Sequence, residues 1–433
     1  MLKKLAILLC LVSAGFLPSA GAGETLPAAA DSIRVTLLTC SPGQEVYSLY
    51  GHTAIRCQTQ PPSISPLEGK IDPSQPPLKG EERKSPFKGD SEGLGDSEES
   101  FDLVFNYGVF DMTKPHFAWH FVLGQTDYMV QPIPWKYFVR EYEASGRSIT
   151  EQELNLTRAE ARRLLSRLLE NCLPENRSYR YNFLYGNCTT KVRDMVEGAV
   201  RGDILYPDTL LHETFREILH HYTADHPWAQ EGNDLLLGAE VDTILSVRAS
   251  LFVPENLMRA FDGAFVCAPN GDLRQLVRKK TVLLEAKPQA AEPEFPLLPW
   301  QALLAFAALC LLVMALEAWL KRLFWLWDVL LLLAVGTAGT LLTFMFLFSQ
   351  HPAVGTNWQV WLLNPVALVG IPLVIKSAIR HRPTLWYAFQ FTVLALFLLF
   401  SPWIPQVFAK ITVPLALCLL TRPISYYKLR IKS

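Results

Sequence analysis

Everything after about Leu297 is apolar in blocks of membrane-spanning length, and this limits the fold more than any motif does. A helix needs roughly 17–25 apolar residues to cross a bilayer. Five such blocks are expected, at 297–319, 323–349, 359–376, 384–400 and 403–420, giving a transmembrane domain over 297–420. The charges between them alternate. Lys321/Arg322, then Lys376/Arg380/Arg382, then a basic tail over 421–433 (Arg422, Lys428, Arg430, Lys432) form one set. Segments 350–358 and 401–402 hold no Lys or Arg. Basic connections stay cytoplasmic, so an odd number of spans puts the residues before 297 outside and the tail inside. The fifth block is the weakest, because it contains Pro405, Lys410 and Pro414.

The N-terminus points the same way. Lys3 and Lys4 precede an apolar run from Leu5 to Leu17, and Ala20-Gly21-Ala22 fits a small-x-small cleavage site. Residues 1–22 read as a signal peptide; an uncleaved anchor is the alternative, for which the run is short. No cysteine sits where a lipoprotein signal would need one. Residues 23–290 then form an exported domain of mixed composition. The formal net charge is −1, which gives no electrostatic case for nucleic acid as a partner.

Within that domain, 33–57 reads as two β segments around Ser-Pro-Gly. Residues 58–100 are rich in Pro, Gly, Ser, Glu and Lys and nearly free of aromatics, a composition of disorder, with a weak repeat in SPLEGK, PPLKGE and SPFKGD. β-like sequence resumes at 101–110 (FDLVFNYGVF), so the insertion is expected in a hairpin loop. Thr157 and Glu160 form a capping box before an apolar stripe, a helix that Pro174 ends. YRYNF reads as a strand, YGN as a tight turn, and CTTKVRDMVEGAV as a helix starting at or beside Cys188. Residues 203–275 read as mainly helical.

Eight cysteines are present. Cys10 is in the signal, and Cys310 and Cys418 are in apolar spans. The exported set of Cys40, Cys57, Cys172, Cys188 and Cys267 is odd. An oxidising compartment pairs structural cysteines, so one thiol is left over. If Cys40 pairs with Cys57 and Cys172 with Cys267, the free one is Cys188. A helix N-terminus stabilises a thiolate through its dipole and unpaired N–H groups, and the same groups serve an oxyanion. Cys188 is therefore a candidate nucleophile; a buried or disulfide-bonded cysteine is the bland alternative. His52, after Gly51 in a β-like stretch, is the candidate base. A lone strand histidine is more often a satisfied polar residue, but the two signals together are what nucleophilic thiol catalysis needs.

A strand histidine followed much later by Tyr-Gly-Asn-Cys opening a helix resembles the circularly permuted papain-like fold of the NlpC-like hydrolases and the lecithin:retinol acyltransferase type. More closely, LYGHTAIR, FNYGVFD, LNLT, PENRSYRYNFLYGNCTTKVRD and the five-span C-terminus look like the Lnb family of bacterial lipoprotein N-acyltransferases, over about residues 32–420. The insertion at 58–100 departs from that pattern. The resemblance implies an α+β fold, a permuted papain-like domain followed by an all-α bundle of about five membrane helices. It implies Cys188 as nucleophile and His52 as base, and a third polar residue from the neighbouring strand. Asn106 is the choice there, with Asp102, Asp111 and Tyr107 as rivals. It also implies a phospholipid acyl donor, a lipoprotein acceptor, and a bacterial inner-membrane location with the catalytic domain in the periplasm.

Other polar groups weigh less. His116 and His120 are four apart in an aromatic stretch and read as interfacial or core residues. His212, His220, His221 and His226 lack the H-E-x-x-H spacing, since His212-Glu213 runs into Thr-Phe-Arg. No metal or cofactor is implied. Trp119, Phe121, Tyr128, Trp135 and Tyr137 suit either a membrane interface or a core. Arg147, Arg177 and Arg193 suit phosphate head groups or plain surface solvation. A Cys–His pair specifies acyl chemistry and not its substrate. A papain-like peptidoglycan amidase or endopeptidase, or a non-enzymatic envelope sensor or assembly factor with a structural Cys188, therefore stands beside the acyltransferase. The hydrolase predicts a site held away from the bilayer; the sensor predicts Cys188 in a disulfide.

Overall fold

The computed structural model describes residues 33–45, 48–59, 101–111, 115–208, 213–287 and 295–431. The expected signal peptide (1–22), His212, and all but the first two residues of the expected insertion lie outside them.

The exported half is α+β. Its strands are β1 (Arg34–Cys40), β2 (His52–Gln58), β3 (Asp102–Val109), β4 (Asp127–Pro134), β5 (Ile149–Leu154), β6 (Ser178–Arg180), β7 (Asp203–Leu205), β8 (Phe265–Cys267), β9 (Leu273–Gln275) and β10 (Val277–Leu284). Seven of them form an antiparallel sheet in the order β10-β5-β1-β2-β3-β4-β6. Gln58 pairs with Asp102, so residues 59–101 leave and re-enter at adjacent strand ends, as a hairpin connection does.

Side chains alternate across a strand, and both faces of this sheet are covered. Leu37, Ile55 and Phe105 are fully buried in one core, which also takes Leu164 and Val192 from helices Arg158–Asn171 and Cys188–Ala199. Leu38, Ala54 and Val104 enter a second core with Phe138 and Tyr142 of helix Trp135–Ala144. Each large side chain so buried is worth about 1.5–3 kcal/mol. Trp135 belongs to this covering, with the Arg56 guanidinium stacked 3.9 Å over its ring.

The fold decides one pairing that the sequence left open and qualifies one expectation. Cys40 and Cys57 point to opposite faces, Cys40 with Leu38 and Cys57 with Leu37, so no disulfide can join them. Cys172, Cys188 and Cys267 are free as well, which removes the disulfide that a structural Cys188 required. The stretch 203–275 is mainly helical as expected, in Phe215–Thr223, Pro227–Leu236 and Pro254–Gly263, but short strands lie at its two ends. β7, β8 and β9 close a small sheet of their own, and β10 joins the main sheet beside β5. β7, β8 and β9 have three residues each, too few for a period to declare itself, and β10 (VRKKTVLL) does not alternate apolar with polar. The capped helix is as read, with Thr157 and Glu160 forming a reciprocal box.

Five long helices follow: Pro299–Leu320, Trp325–Phe348, Val366–Arg380, Trp386–Phe400 and Thr412–Ile431. Among the described residues, four segments are long and apolar enough to cross a membrane, with the third lengthened to Trp358–Arg380 by a preceding 3-10 turn. The fifth helix begins at Thr412 and not at the expected 403, after a non-helical stretch containing Pro405. It then runs through the expected tail. It carries Arg422, which is 1 % exposed and pairs with Glu317 of the first helix at 2.7 Å and Asp328 of the second at 2.6 Å. Tyr387 of the fourth helix donates to the same Asp328 at 3.0 Å. An ionic clasp joins apolar packing by Ala416, Leu419 and Tyr426 in holding the fifth helix in the bundle.

The two halves meet through helix ends. The last carbonyls of a helix lack intrahelical partners. In helix Pro227–Leu236 these are taken by membrane-domain amides. Gln359 donates to Asp234 O at 2.6 Å, Asn357 to Leu235 O at 2.8 Å, and Gln406 to Leu237 O at 3.3 Å. The short helix Phe117–Val122 uses the same device. His351 donates to Phe121 O at 2.5 Å, Ser349 to Val122 O at 2.7 Å, and the Gln350 amide to Leu123 O at 2.8 Å.

Candidate active site

β2 starts at His52, and the preceding Gly51 explains how. Its φ is +76°, and a Cβ there would lie 2.7 Å from the Cys40 carbonyl oxygen. Only glycine takes that turn without cost. It delivers His52 to the end of β2, next to β3.

The expected third residue is where the neighbouring strand puts it. Asn106 and His52 share a sheet face, and Asn106 Oδ1 lies 2.5 Å from His52 Nε2. A carbonyl oxygen only accepts, so Nε2 carries the proton and donates. Nδ1 is the ring nitrogen left for the thiol. The three rivals are occupied or distant. Asp102 accepts from Arg56 at 2.7 and 2.6 Å, the Tyr107 hydroxyl accepts from Asn171 at 2.9 Å, and Asp111 is exposed beyond the end of β3.

Cys188 is the first residue of helix Cys188–Ala199, which packs on β2 and β3. Asn187 caps it, accepting from the Thr190 amide at 2.9 Å while Thr190 Oγ1 accepts from the Asn187 amide at 2.9 Å. That box uses two of the four unpaired N–H groups at the helix start and leaves those of Cys188 and Thr189 beside the sulfur. Asn187 Nδ2 also donates to Phe183 O and Phe252 O, both at 2.8 Å, which fixes the turn. Gly108, at φ +93°, lies beside the helix start, where a Cβ would be in ordinary contact with Cys188 Cβ at 3.6 Å.

The electrostatics couple the pair. Burial pushes the Cys188 thiol up. The His52 charge and hydrogen bond, the Thr53 backbone N–H and the Thr189 hydroxyl more than offset it, and the thiol settles at about 7 from an ordinary value of 9.0. Burial pulls His52 down. The Cys188 charge, its hydrogen bond and that of Asn106 raise it by more, so its net shift is upward. A thiolate–imidazolium pair near neutral pH is the state these shifts describe. Cys40, Cys57 and Cys172 go the opposite way through burial, Cys40 to about 12 and Cys172 to about 11. Cys188 is held below its ordinary value and keeps partial exposure.

Sequence reading missed the residues around the pair. Thr53 and Thr189 share a hydrogen bond at 3.2 Å, and Thr189 Oγ1 lies 3.8 Å from the sulfur. Tyr179 and Tyr181 feel the Cys188 charge, which with burial holds both phenols well above their usual range. The position of Thr189 directly after the cysteine was the one available signal. Of the arginines, Arg193 is buried on Asp194 and the Arg248 carbonyl, Arg147 is turned onto Ser41 O and the Tyr142 ring, and Arg177 is exposed. His220 binds Asp234 and His221 binds Glu213. No group of three His, Cys, Asp or Glu is arranged for a metal among the described residues. His116 precedes its helix in a left-handed conformation, so it does not continue one helical face with His120.

Fold and site together define a membrane-embedded protein with an exported α+β domain and a Cys–His pair at the edge of its sheet. Residues 290–433 match the model of the Lnb transmembrane domain, and residues 91–221 match that of the Lnb N-terminal periplasmic domain. The second match includes Asn106 and Cys188; His52 precedes it. No curated protein and no solved structure matches the chain. The chain belongs to the Lnb family, as an inner-membrane protein with a periplasmic N-terminal domain.

Proposed function

We propose that this protein is a lipoprotein N-acyltransferase working through a Cys188 thioester, on a permuted papain-like domain whose histidine strand precedes its cysteine helix. The observation that carries it is the Asn106–His52–Cys188 alignment with a thiol at about 7. The Cys188 thiolate attacks an ester carbonyl of a membrane phospholipid. The C–S bond forms, the carbonyl oxygen takes the negative charge beside the helix N–H groups, and the C–O bond to glycerol breaks. His52 gives its proton to the departing alkoxide, leaving a lysophospholipid. The free α-amine of a lipoprotein's diacylglyceryl-cysteine then attacks the thioester. His52 takes the amine proton, the C–N bond forms and the C–S bond breaks, and the thiolate returns. Asn106 keeps Nδ1 of His52 toward sulfur. Thioester aminolysis must outrun hydrolysis, which favours a site close to the bilayer. The basic connections put the C-terminus in the cytoplasm.

Proximity to the membrane domain favours this reading over a peptidoglycan hydrolase. Asn187 holds Phe183 by its carbonyl, and the Phe183 ring lies 6.3 Å from His351 between the second and third membrane helices. The test is complementation. Wild type and Cys188→Ser are expressed in a bacterium depleted of its own lipoprotein N-acyltransferase, and the N-terminal mass of one lipoprotein is read. A gain of one acyl chain with wild type alone is expected. No gain with folded wild type overturns the acyltransferase; a gain surviving in Cys188→Ser overturns the thioester.

A further inference from the structure

A row of aromatic rings joins the thiol to the outer end of the second membrane helix. It begins at Tyr181, which the Asn182–Gly186 backbone bridge folds beside the start of the Cys188 helix. Tyr181 stacks on Tyr128 at 4.0 Å, Tyr128 on Phe110 at 4.8 Å, Phe110 on Phe117 at 5.9 Å, and Phe117 on Phe121 at 6.1 Å. Phe110 is also two residues past Gly108, where a Cβ would lie 3.6 Å from Cys188 Cβ. At the far end, helix Phe117–Val122 is pinned to Ser349 and His351, and Trp119 lies 5.0 Å from Phe344 of the second membrane helix.

A row serving only as core would be sealed. This one opens toward the membrane helix: Phe121 is 48 % and Trp119 54 % exposed, beside Phe348 at 61 %. Helix Phe117–Val122 has no buried residue at all. Such a patch on the end of a membrane helix faces acyl chains and head groups, where aromatic rings concentrate. The rings carry no charge, and their polar atoms are the two tyrosine hydroxyls. An uncharged, extended, apolar occupant fits them; a glycan or an acidic peptide does not.

We propose that this row guides one acyl chain of the donor phospholipid from the bilayer to Cys188, with Phe110 and Phe117 as its floor. The proposal rests on the acyltransferase reading. The chain's methyl end lies toward Phe121 and its ester carbonyl arrives at the sulfur, where the bonds change as written above. Phe117 is a positioning residue and touches no reacting atom.

The full-length protein is reconstituted in vesicles of phosphatidylethanolamine and phosphatidylglycerol, with a phosphatidylethanolamine carrying a diazirine near the end of one acyl chain. Irradiation is expected to label the segments holding Phe110, Phe117 and Phe121. Labels confined to the membrane helices overturn the row. Thioester formation on Cys188 is then followed by intact mass with two donors, the long-chain phospholipid and water-soluble 4-nitrophenyl acetate. Phe117→Ser is expected to slow the phospholipid reaction about tenfold and leave acetylation unchanged, with Phe117→Leu restoring most of the rate. Equal loss with both donors, or loss with neither, overturns the row. A wild type that 4-nitrophenyl acetate acetylates and phospholipid never acylates overturns the acyltransferase reading beneath it.

Discussion

Asn106 Oδ1 accepts from His52 Nε2 at 2.5 Å, from the strand hydrogen-bonded next to β2. This contact sets the tautomer and tilt of the imidazole, so its loss should act on turnover and hardly on lipid binding. Asn106→Ala should lower kcat on the order of 10- to 100-fold, a share of the 10²–10⁴ that acid–base catalysis supplies, with KM little changed. Asn106→Asp places a carboxylate on Nε2–H, which favours imidazolium and should move the pH limb belonging to His52 upward. A fall confined to KM would show Asn106 to be a lipid contact.

The thiol gives a pH prediction with a definite sign. Burial raises Cys188, and the His52 charge leads the groups that bring it back to about 7. Alkylation of Cys188 by iodoacetamide should therefore rise with pH around a midpoint near 7 in the wild type. In His52→Ala the leading lowering influence is gone and burial remains, so the midpoint should move above the ordinary 9.0. Cys40, held at about 12 by burial, should stay unreactive throughout. Unchanged midpoints in the two proteins would separate His52 from the thiol.

The membrane bundle depends on charges buried in it. Arg422 is paired with Glu317 and Asp328, all three at most 2 % exposed. Removing one partner leaves uncompensated charge, at a cost of about 3–5 kcal/mol. Arg422→Met should lower the thermal unfolding midpoint in detergent, or the amount of protein in the membrane. Adding Glu317→Gln and Asp328→Asn should recover much of the loss. If the triple variant is no better than the single one, packing and not charge is the cause.

These residues also mark how far the sequence could be read. The places of His52 and Cys188 in the fold were legible from local rules, a glycine turn and a helix start, whereas Asn106 came only through the family resemblance. The four strongest membrane segments were legible from length and apolarity alone. The start of the fifth helix at Thr412 was not, since proline and charge weigh against it locally and Arg422 finds its partners 94 and 105 residues away. The strands β7 to β10 were missed for a related reason, as pairing across the chain and not local periodicity makes them. The pairing of Cys40 with Cys57, which the sequence left open, is excluded by parity: the two residues face opposite sides of one sheet.

The turn before His52 allows a controlled comparison between two glycines. Gly51 and Gly271 both have positive φ, +76° and +88°. A non-glycine residue in the left-handed region costs about 1–2 kcal/mol, so each Ala variant should lose roughly that much from the backbone alone. A Cβ at Gly271 meets nothing within 4 Å, whereas one at Gly51 sits 2.7 Å from the Cys40 carbonyl oxygen. At Gly51 either β1 or the start of β2 must therefore shift, and His52 shifts with it. Gly271→Ala should cost some stability and leave thioester formation at the wild-type rate. Gly51→Ala should cost more and should also slow acylation of Cys188 by 4-nitrophenyl acetate, because the base no longer meets the sulfur. Equal acylation rates in the two variants would mean that the turn does not set the position of His52.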